Sequence, residues 1–288
     1  MEIDTSSDLH RQPIASQTKR RTMKNIVITG STRGIGYGLA DEFLKRGCSV
    51  TINGRSQDSV DKAIGALGGM HGHDRLAGRP GDVTDLATHQ ALWDAAAASF
   101  GRVDMWINNA GMGHPMLKVW EMPVEMVNQV VDINLKGAIW GSRTAIRGFL
   151  LQGGGHLYNM EGFGSNGRLR VGLSLYGTTK SGLRFLSRSL TAETKGTPVK
   201  VSTISPGIVI TELLTDPFKD DPKGLERAKW VFNALGDKVE TVTPWLVERM
   251  MANDKSGAAI DYLTNTKVMG RFATAMFRRR DLFSDKVP

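Results

Sequence analysis

Lys24–Thr29 (KNIVIT) is a short apolar run that ends in a glycine-rich turn, Gly30-Ser31-Thr32-Arg33-Gly34-Ile35-Gly36, and the turn opens a helical pattern. This strand–turn–helix start constrains the chain strongly, because glycines let the backbone bend tightly and approach another group closely. In GIGYGLADEFLKRG, Leu39, Phe43 and Leu44 fall at helical spacing and Gly47 is the stop. The alternation then repeats. Ser49–Asn53 reads as a strand, 58–67 as a helix, and a further strand leads into Gly81-Asp82-Val83. A helix over 86–100, a strand over 103–107 and a long helix over 123–152, kinked at Gly137, come next. A strand over 156–160, a helix carrying Tyr176 and a strand over 200–204 complete the series. Strands alternating with helices of this length predict a parallel sheet covered on both faces.

The regularity fails after Thr211, where helical stretches are expected over 224–235, 242–251 and 267–277, with a last strand over 258–264. With no linker-like break, the reading is a disordered polar tail over 1–22, one α/β domain over 23–264, and a basic helical extension over 265–288. The tail lacks the apolar stretch of a secretory signal, and no apolar run reaches transmembrane length. The single Cys48 excludes a disulfide framework and fits a reducing compartment, so a cytoplasmic location is expected. It follows Gly47 at the end of a helical pattern and is expected to be buried. The six histidines show no metal-ligand spacing, His71 and His73 sit in a stretch that reads as loop, and no metal is expected.

The net charge of +8 suits anionic ligands, a membrane surface or nucleic acid. The basic residues are dispersed, apart from Lys19-Arg20-Arg21 and Arg278-Arg279-Arg280 near the two ends. Neither cluster lies in a nucleic-acid motif, so no nucleic-acid partner is expected. In the extension Met269, Phe272 and Met276 recur at helical spacing. Two readings stay open there: a face packed on the domain or a partner subunit, or a lid in peripheral contact with a membrane.

The turn Gly30 to Gly36 offers a pyrophosphate close backbone approach, while the N-terminus of the following helix supplies N–H groups and positive dipole. The second strand ends Asn53-Gly54-Arg55-Ser56, without the acidic residue that would hold an NAD ribose. Arg33 and Arg55 are instead placed to meet a 2′-phosphate, so NADPH is the expected cofactor. Downstream stands Tyr176-Gly177-Thr178-Thr179-Lys180. Residues four apart share a helix face, which brings the Tyr176 hydroxyl and Lys180 ammonium to one small site. A cation at about 4 Å in an effective dielectric of about 20 favours the phenolate by roughly 4 kcal/mol. That corresponds to roughly three pKa units and brings a tyrosine of ordinary pKa near 10 into working range.

With these residues in order the chain resembles the short-chain dehydrogenase/reductases from about Lys24 to Thr211. The markers are TGSTRGIG at 29–36, GDV at 81–83, NNAG at 108–111, Asn134 in INLKG, YGTTK at 176–180 and SPG at 205–207. The resemblance implies a Rossmann-type doubly wound sheet of seven strands, mostly parallel, and a dimer or tetramer. It implies Asp82 and Val83 near the adenine and Asn109, Ala110 and Gly111 beside the adenosine ribose. Pro206, Gly207, Ile208 and Thr211 would border the nicotinamide. Tyr176 would be the general acid, Lys180 would bind the nicotinamide ribose and lower the tyrosine pKa, and Asn134 would hold a water in a proton relay.

One departure matters. The family usually carries a catalytic serine, within a Ser-Ser pair, about 13 residues before the tyrosine. Here Asn159-Met160 runs into Glu161-Gly162-Phe163-Gly164-Ser165, so a carboxylate and a glycine occupy the pair. Either Ser165 substitutes from a remodelled loop, or Glu161 or a backbone N–H polarises the substrate, or the oxygen is held less tightly. The stretch NMEGFGSNG, together with SPGIVITELL and YLTNTKVMGRF, is similar to the chlorophyll b reductases of the same superfamily. That similarity implies NADPH-dependent reduction of a formyl group on a large, flat, apolar substrate such as a chlorophyll pigment. The alternatives are an alcohol dehydrogenase or ketoreductase for another lipophilic carbonyl, and outside enzymes a nucleotide sensor or a membrane-docking scaffold.

Overall fold

The computed structural model describes residues 23–219, 221–275 and 280–284. The expected disordered tail with Lys19-Arg20-Arg21, and Met276, Phe277, Arg278 and Arg279, lie outside the described residues.

Seven strands form one sheet in which every pairing is parallel. In chain order the elements are β1 (Asn25–Ile28), α1 (Gly34–Lys45), β2 (Ser49–Gly54), α2 (Gln57–His71), β3 (Leu76–Pro80), α3 (Leu86–Phe100) and β4 (Met105–Asn108). Then come α4 (Val124–Val131), α5 (Gly137–Gln152), β5 (Gly155–Met160), α6 (Ser174–Glu193) and β6 (Val199–Ser205). α7 (Glu212–Thr215), α8 (Pro222–Leu235), α9 (Val239–Ala252), β7 (Ala259–Asp261) and α10 (Asn265–Ala275) complete the fold. The strand order is β3-β2-β1-β4-β5-β6-β7, so the winding reverses between β1 and β4.

Helices cover both faces, which is why β2 and β4 are buried along their whole length. One apolar layer joins Leu39, Phe43 and Leu44 of α1 to Val242, Leu246 and Met250 of α9. The other joins Leu92 and Ala96 of α3 to Ala145 and Phe149 of α5, around Trp106. Cys48 lies in the first layer, as its position after Gly47 predicts.

Three sequence expectations need correction. The long helix is not one helix kinked at Gly137: it is α4 and α5 joined by a π-helical turn over Asp132–Lys136. Gly137 serves close packing instead, since a Cβ there would stand 3.1 Å from Val83 Cγ2 and O. His71 is not in a loop but ends α2, where Gly72 stops the helix at φ +85° and His71 Nε2 lies 2.7 Å from Asp41. The last strand is only Ala259–Asp261, shorter than the expected 258–264.

The helical extension packs on the domain as far as it is described. Phe272 stacks on Trp230 of α8 at 5.9 Å. Arg271 and Arg280 both reach the buried Asp237, at 2.5 and 2.7 Å. Arg280 is therefore not a free basic residue, whereas Met269 remains exposed.

Candidate active site

The reversal in strand order places two loops face to face at the carboxyl ends of β1 and β4, where an open α/β sheet forms its crevice. They meet closely: a Cβ on Gly30, at φ +61°, would stand 2.8 Å from Ala110 Cα. On Gly36 it would stand 2.4 Å from the Gly30 carbonyl oxygen, so both positions are restricted to glycine. Arg33 precedes α1 without a side-chain cap, leaving the first-turn N–H groups of the helix for another acceptor. This is the cradle an anionic pyrophosphate needs, and the residues present fit it.

The sequence-expected cofactor residues divide into two groups. Ser31 and Asn109 build the cradle from behind. The buried Ser31 hydroxyl donates to Ile28 O at 2.7 Å and accepts from Asn53 N–H at 3.0 Å. Asn109 Nδ2 donates to the carbonyls of Thr29 and Gly30, both at 2.9 Å. The Asn109 amide N–H groups therefore brace the glycine loop. Ile35 packs into the core and Val83 is buried, so both act through shape. The second group faces outward. Gly34 sits at φ +58°, 3.8 Å from Thr211 Cγ2 when given a Cβ, and Thr32 and Gly111 are half-buried and exposed respectively. Arg55 and Ser56 are exposed after β2, with the Ser56 side chain accepting from Ser59 N–H to cap α2. Asp82 is also exposed, and its Oδ1 accepts from Thr84 N–H at 2.8 Å. Arg33 forms an ion pair with Glu212 across the crevice mouth, with side chains 68% and 58% exposed. Exposed pairs of this kind contribute about 0–1 kcal/mol, so Arg33 is held only weakly. Pro206, Gly207 at φ +73° and Ile208 line the turn after β6, where Ile208 O accepts from Asp237 N–H at 3.0 Å.

Tyr176 and Lys180 lie on α6, beside the loop that leaves β5. Lys180 Nζ donates to the Met160 carbonyl at 3.1 Å and stands 5.7 Å from the centre of the Tyr176 ring. Gly162 closes on the tyrosine: a Cβ there would stand 2.6 Å from Tyr176 Oη and 3.3 Å from Lys180 Cε. Burial pushes the Tyr176 hydroxyl up to about 12. Burial pulls Lys180 down to about 8, and the charge of Glu161 opposes that fall. The expected depression of the tyrosine by the lysine is not found in this geometry. The ammonium donates to a backbone carbonyl while standing over the tyrosine ring, and desolvation favours the neutral form of both groups.

Asn134 sits in the π-helical turn, a feature frequent at functional sites. It is 1% exposed. Its Oδ1 accepts from Met112 N–H at 2.7 Å, and its Nδ2 donates to Met112 O at 2.9 Å and Thr179 Oγ1 at 3.2 Å. These bonds fix the Asn134 side chain between the Met112 loop and α6. A Cβ on Gly111 would lie 3.4 Å from Asn134 Oδ1 and 3.7 Å from Lys180 Nζ, so the β4 loop, the π turn and α6 converge here.

The two candidates for the missing serine differ. Ser165 is buried and its N–H donates to Gly162 O at 3.1 Å, while Ser181 Oγ donates to Gly164 O at 2.7 Å. The segment Gly162–Ser165 is thus a turn locked onto α6. Glu161 is buried too, with Oε2 3.6 Å from Arg184 Nη1 and Oε1 lacking a hydrogen-bond partner.

Sequence reasoning missed His114. It is buried, with Nδ1 2.7 Å from Pro115 O and Nε2 3.2 Å from Tyr176 N. The backbone N–H can only donate, so Nε2 is the acceptor of that bond. A lone histidine in a loop carries no periodic signal that would have found it. Two residues on, Met116 joins Phe218, Ala228 and Val231 in walling a cavity of about 350 Å³, with Arg170, Asp221 and Arg227 also lining it. Leu169 and Val171 are exposed large apolar residues on the loop before α6.

A doubly wound parallel sheet with a glycine cradle at its reversal point and a Tyr–Lys pair beside it defines a dinucleotide-dependent oxidoreductase. The family model for short chain dehydrogenases matches residues 24–222, and the chain belongs to that family of NAD(P)-dependent oxidoreductases. It is 36% identical over 279 residues to the probable chlorophyll(ide) b reductase NYC1, chloroplastic, of Oryza sativa subsp. japonica, covering 91% of this chain and 54% of that protein. It is 36% identical over 269 residues to the chlorophyll(ide) b reductase NOL, chloroplastic, of Arabidopsis thaliana, covering 89% of this chain and 76% of the relative. The chain thus spans about half the length of the first of these relatives. Among solved structures, the closed form of a serine dehydrogenase complexed with NADP+ superposes with a TM-score of 0.73 at 26% identity, covering 84% of this chain and 95% of that one. Among the described residues no helix is long and apolar enough to cross a membrane.

Proposed function

We propose that this chain is an NADPH-dependent carbonyl reductase that reduces the formyl group of a large, flat, apolar substrate. Our first assignment is chlorophyll(ide) b to its 7-hydroxymethyl form. The observation that carries the reading is the geometry of Tyr176 and Lys180 on α6: Lys180 Nζ stands 5.7 Å from the tyrosine ring centre, Gly162 closes on the hydroxyl, and the Gly111 loop of β4 comes up beside them. A phenol pushed up to about 12 is a proton donor at neutral pH, which suits reduction of a carbonyl rather than oxidation of an alcohol.

In this reading Gly30, Ser31, Thr32, Gly34, Ile35, Gly36, Asp82, Val83, Asn109, Ala110 and Gly111 shape the dinucleotide site, and Pro206, Gly207, Ile208 and Thr211 border its far end. Arg33 and Arg55, with Ser56 between Arg55 and α2, meet the 2′-phosphate that distinguishes NADPH. The cofactor supplies the hydride that the carbonyl carbon receives. Tyr176 gives its phenolic proton to the carbonyl oxygen as that bond becomes an alcohol, and solvent restores the proton. Lys180 steadies the developing phenolate, and Asn134 fixes the Met112 loop against α6. Gly162 leaves no room for the usual serine, so Tyr176 and backbone N–H groups hold the oxygen. The relatives with similar sequences are named for chlorophyll(ide) b reduction, and the exposed Leu169 and Val171 before α6 offer apolar surface to a large hydrophobic substrate.

A cytoplasmic location, assembly into a homo-oligomer and peripheral membrane contact through the exposed Met269 belong to the same proposal. The deciding experiment follows NADPH consumption across a panel of carbonyls that includes chlorophyllide b, with identification of the product. Turnover of chlorophyllide b to the hydroxymethyl product is expected. Faster turnover of an unrelated lipophilic ketone, with chlorophyllide b untouched, would assign the chain to the ketoreductases.

A further inference from the structure

Glu161 is a carboxylate buried at the end of β5, in a position where buried acids are rare unless paired. Its backbone is fixed by the sheet, with N–H donating to Ile204 O at 2.8 Å. Its side chain is held by charge rather than by hydrogen bonds. Oε2 stands 3.6 Å from Arg184 Nη1, beyond hydrogen-bond range, and Oε1 has no partner. Tyr176, Lys180 and Arg184 are spaced four apart along α6 and share one face. The Met160 carbonyl, one residue before Glu161, accepts from Lys180 Nζ at 3.1 Å. The acid therefore meets the basic end of the catalytic stripe, while Gly162, the next residue, meets the tyrosine hydroxyl.

We propose that Glu161 is a positioning residue that acts through Lys180: its buried carboxylate supplies the counter-charge that keeps the ammonium on the Met160 carbonyl, and Arg184 divides that counter-charge. The inference rests on the reading of Lys180 as the working partner of Tyr176. It answers the choice left open by the sequence, because the carboxylate serves the lysine and not the substrate oxygen. Burial alone drives Lys180 toward the neutral amine, and Glu161 is the charge that opposes it. Removing that charge lets desolvation act unopposed, so the lysine loses its proton at lower pH. The groups that titrate or carry charge around Nζ are then Tyr176 and Arg184 on α6 and Glu161 just after β5.

The test reads the proton on Lys180 directly, in the full-length protein, by NMR of ¹³Cε-labelled lysine with the signal assigned by its loss in Lys180→Arg. The wild-type midpoint is expected near 8. Glu161→Gln should lower it by about one unit or more, and Glu161→Asp, which keeps the charge, should stay near wild type. Arg184→Gln removes a neighbouring positive charge and should raise it. An unmoved midpoint in Glu161→Gln, or equal shifts in the Gln and Asp variants, overturns the proposal. If Glu161→Gln does not fold, the Arg184→Gln titration decides alone: an unmoved midpoint overturns the proposal and a raised one supports it. These titrations need no substrate. A protein that turns over no carbonyl on the panel would therefore sink the proposed function while the Glu161–Lys180 coupling is judged separately.

Discussion

Gly162 and Tyr176 are in such close register that a single added carbon on the glycine would lie 2.6 Å from the tyrosine hydroxyl oxygen. The glycine is not a gap left by a lost serine. It is the residue that lets the phenol occupy its place.

Restoring a side chain at this position should therefore harm the enzyme. Gly162→Ala or Gly162→Ser must push Tyr176 Oη aside, and kcat should fall by about 10²-fold, the scale of a lost acid–base group. Dissociation of NADPH, followed by fluorescence, should change little, because the cradle lies on other elements. A serine variant faster than the parent would show that the hydroxyl site is open after all.

Cofactor choice is expected to rest on Arg33 and Arg55. The double Arg33→Ala, Arg55→Ala variant should weaken NADPH far more than NADH, since only the former carries the 2′-phosphate. Titrations with both cofactors check this, and equal losses would remove the two arginines from the phosphate site. The Glu212 partner of Arg33 is half-exposed and provides an internal control. Glu212→Gln should leave NADPH bound at least as tightly as before.

The pH dependence has a definite sign. Lys180 is pulled down to about 8, so its ammonium is full at pH 6 to 7 and is lost as pH rises through 8. Tyr176, pushed up to about 12, keeps its proton over the same range. Reductive kcat/KM should thus fall on the alkaline side with a midpoint near 8, and Lys180→Arg, which does not titrate there, should abolish that limb. A limb that survives in Lys180→Arg would belong to another group.

Truncation after Val268 strips Arg271 and Arg280 from the buried Asp237. Leaving a buried charge unpaired typically costs about 3–5 kcal/mol, so Tm should drop sharply. Asp237→Asn in the truncated chain should recover part of the loss. A truncated protein with unchanged Tm, but with poor turnover of a membrane-borne substrate only, would favour the lid reading of this segment.

The parallel sheet, the glycine turn and the Tyr176–Lys180 pair were legible because each follows from a local period or a short spacing. The π-helical turn at Asn134 was not. Residues 132–136 carry an ordinary helical pattern, and the partner of Asn134 in the turn is Met112, 22 residues away in sequence. His114 was hidden for the same reason, since its partner is the backbone of Tyr176, 62 residues on. Glu161 read as a possible reagent because charge is visible in a sequence and burial is not. Arg280 read only as part of a basic cluster near the chain end because Asp237, 43 residues earlier, gives no hint of being buried.

The loop from Met112 to Met116 is tied down twice, by Asn134 to the π turn and by His114 to the start of α6. One wall of the cleft is thus tied to the same elements as Tyr176, and moving it would break three partly buried hydrogen bonds together. The opposite wall, made by α7 and α8, is held in large part by an apolar cluster around Phe218 and Phe232, whose contacts are not directional. Substrates of different girth should therefore be accommodated by one side of the cleft only, with the distance from the fixed wall to Tyr176 kept constant whatever enters.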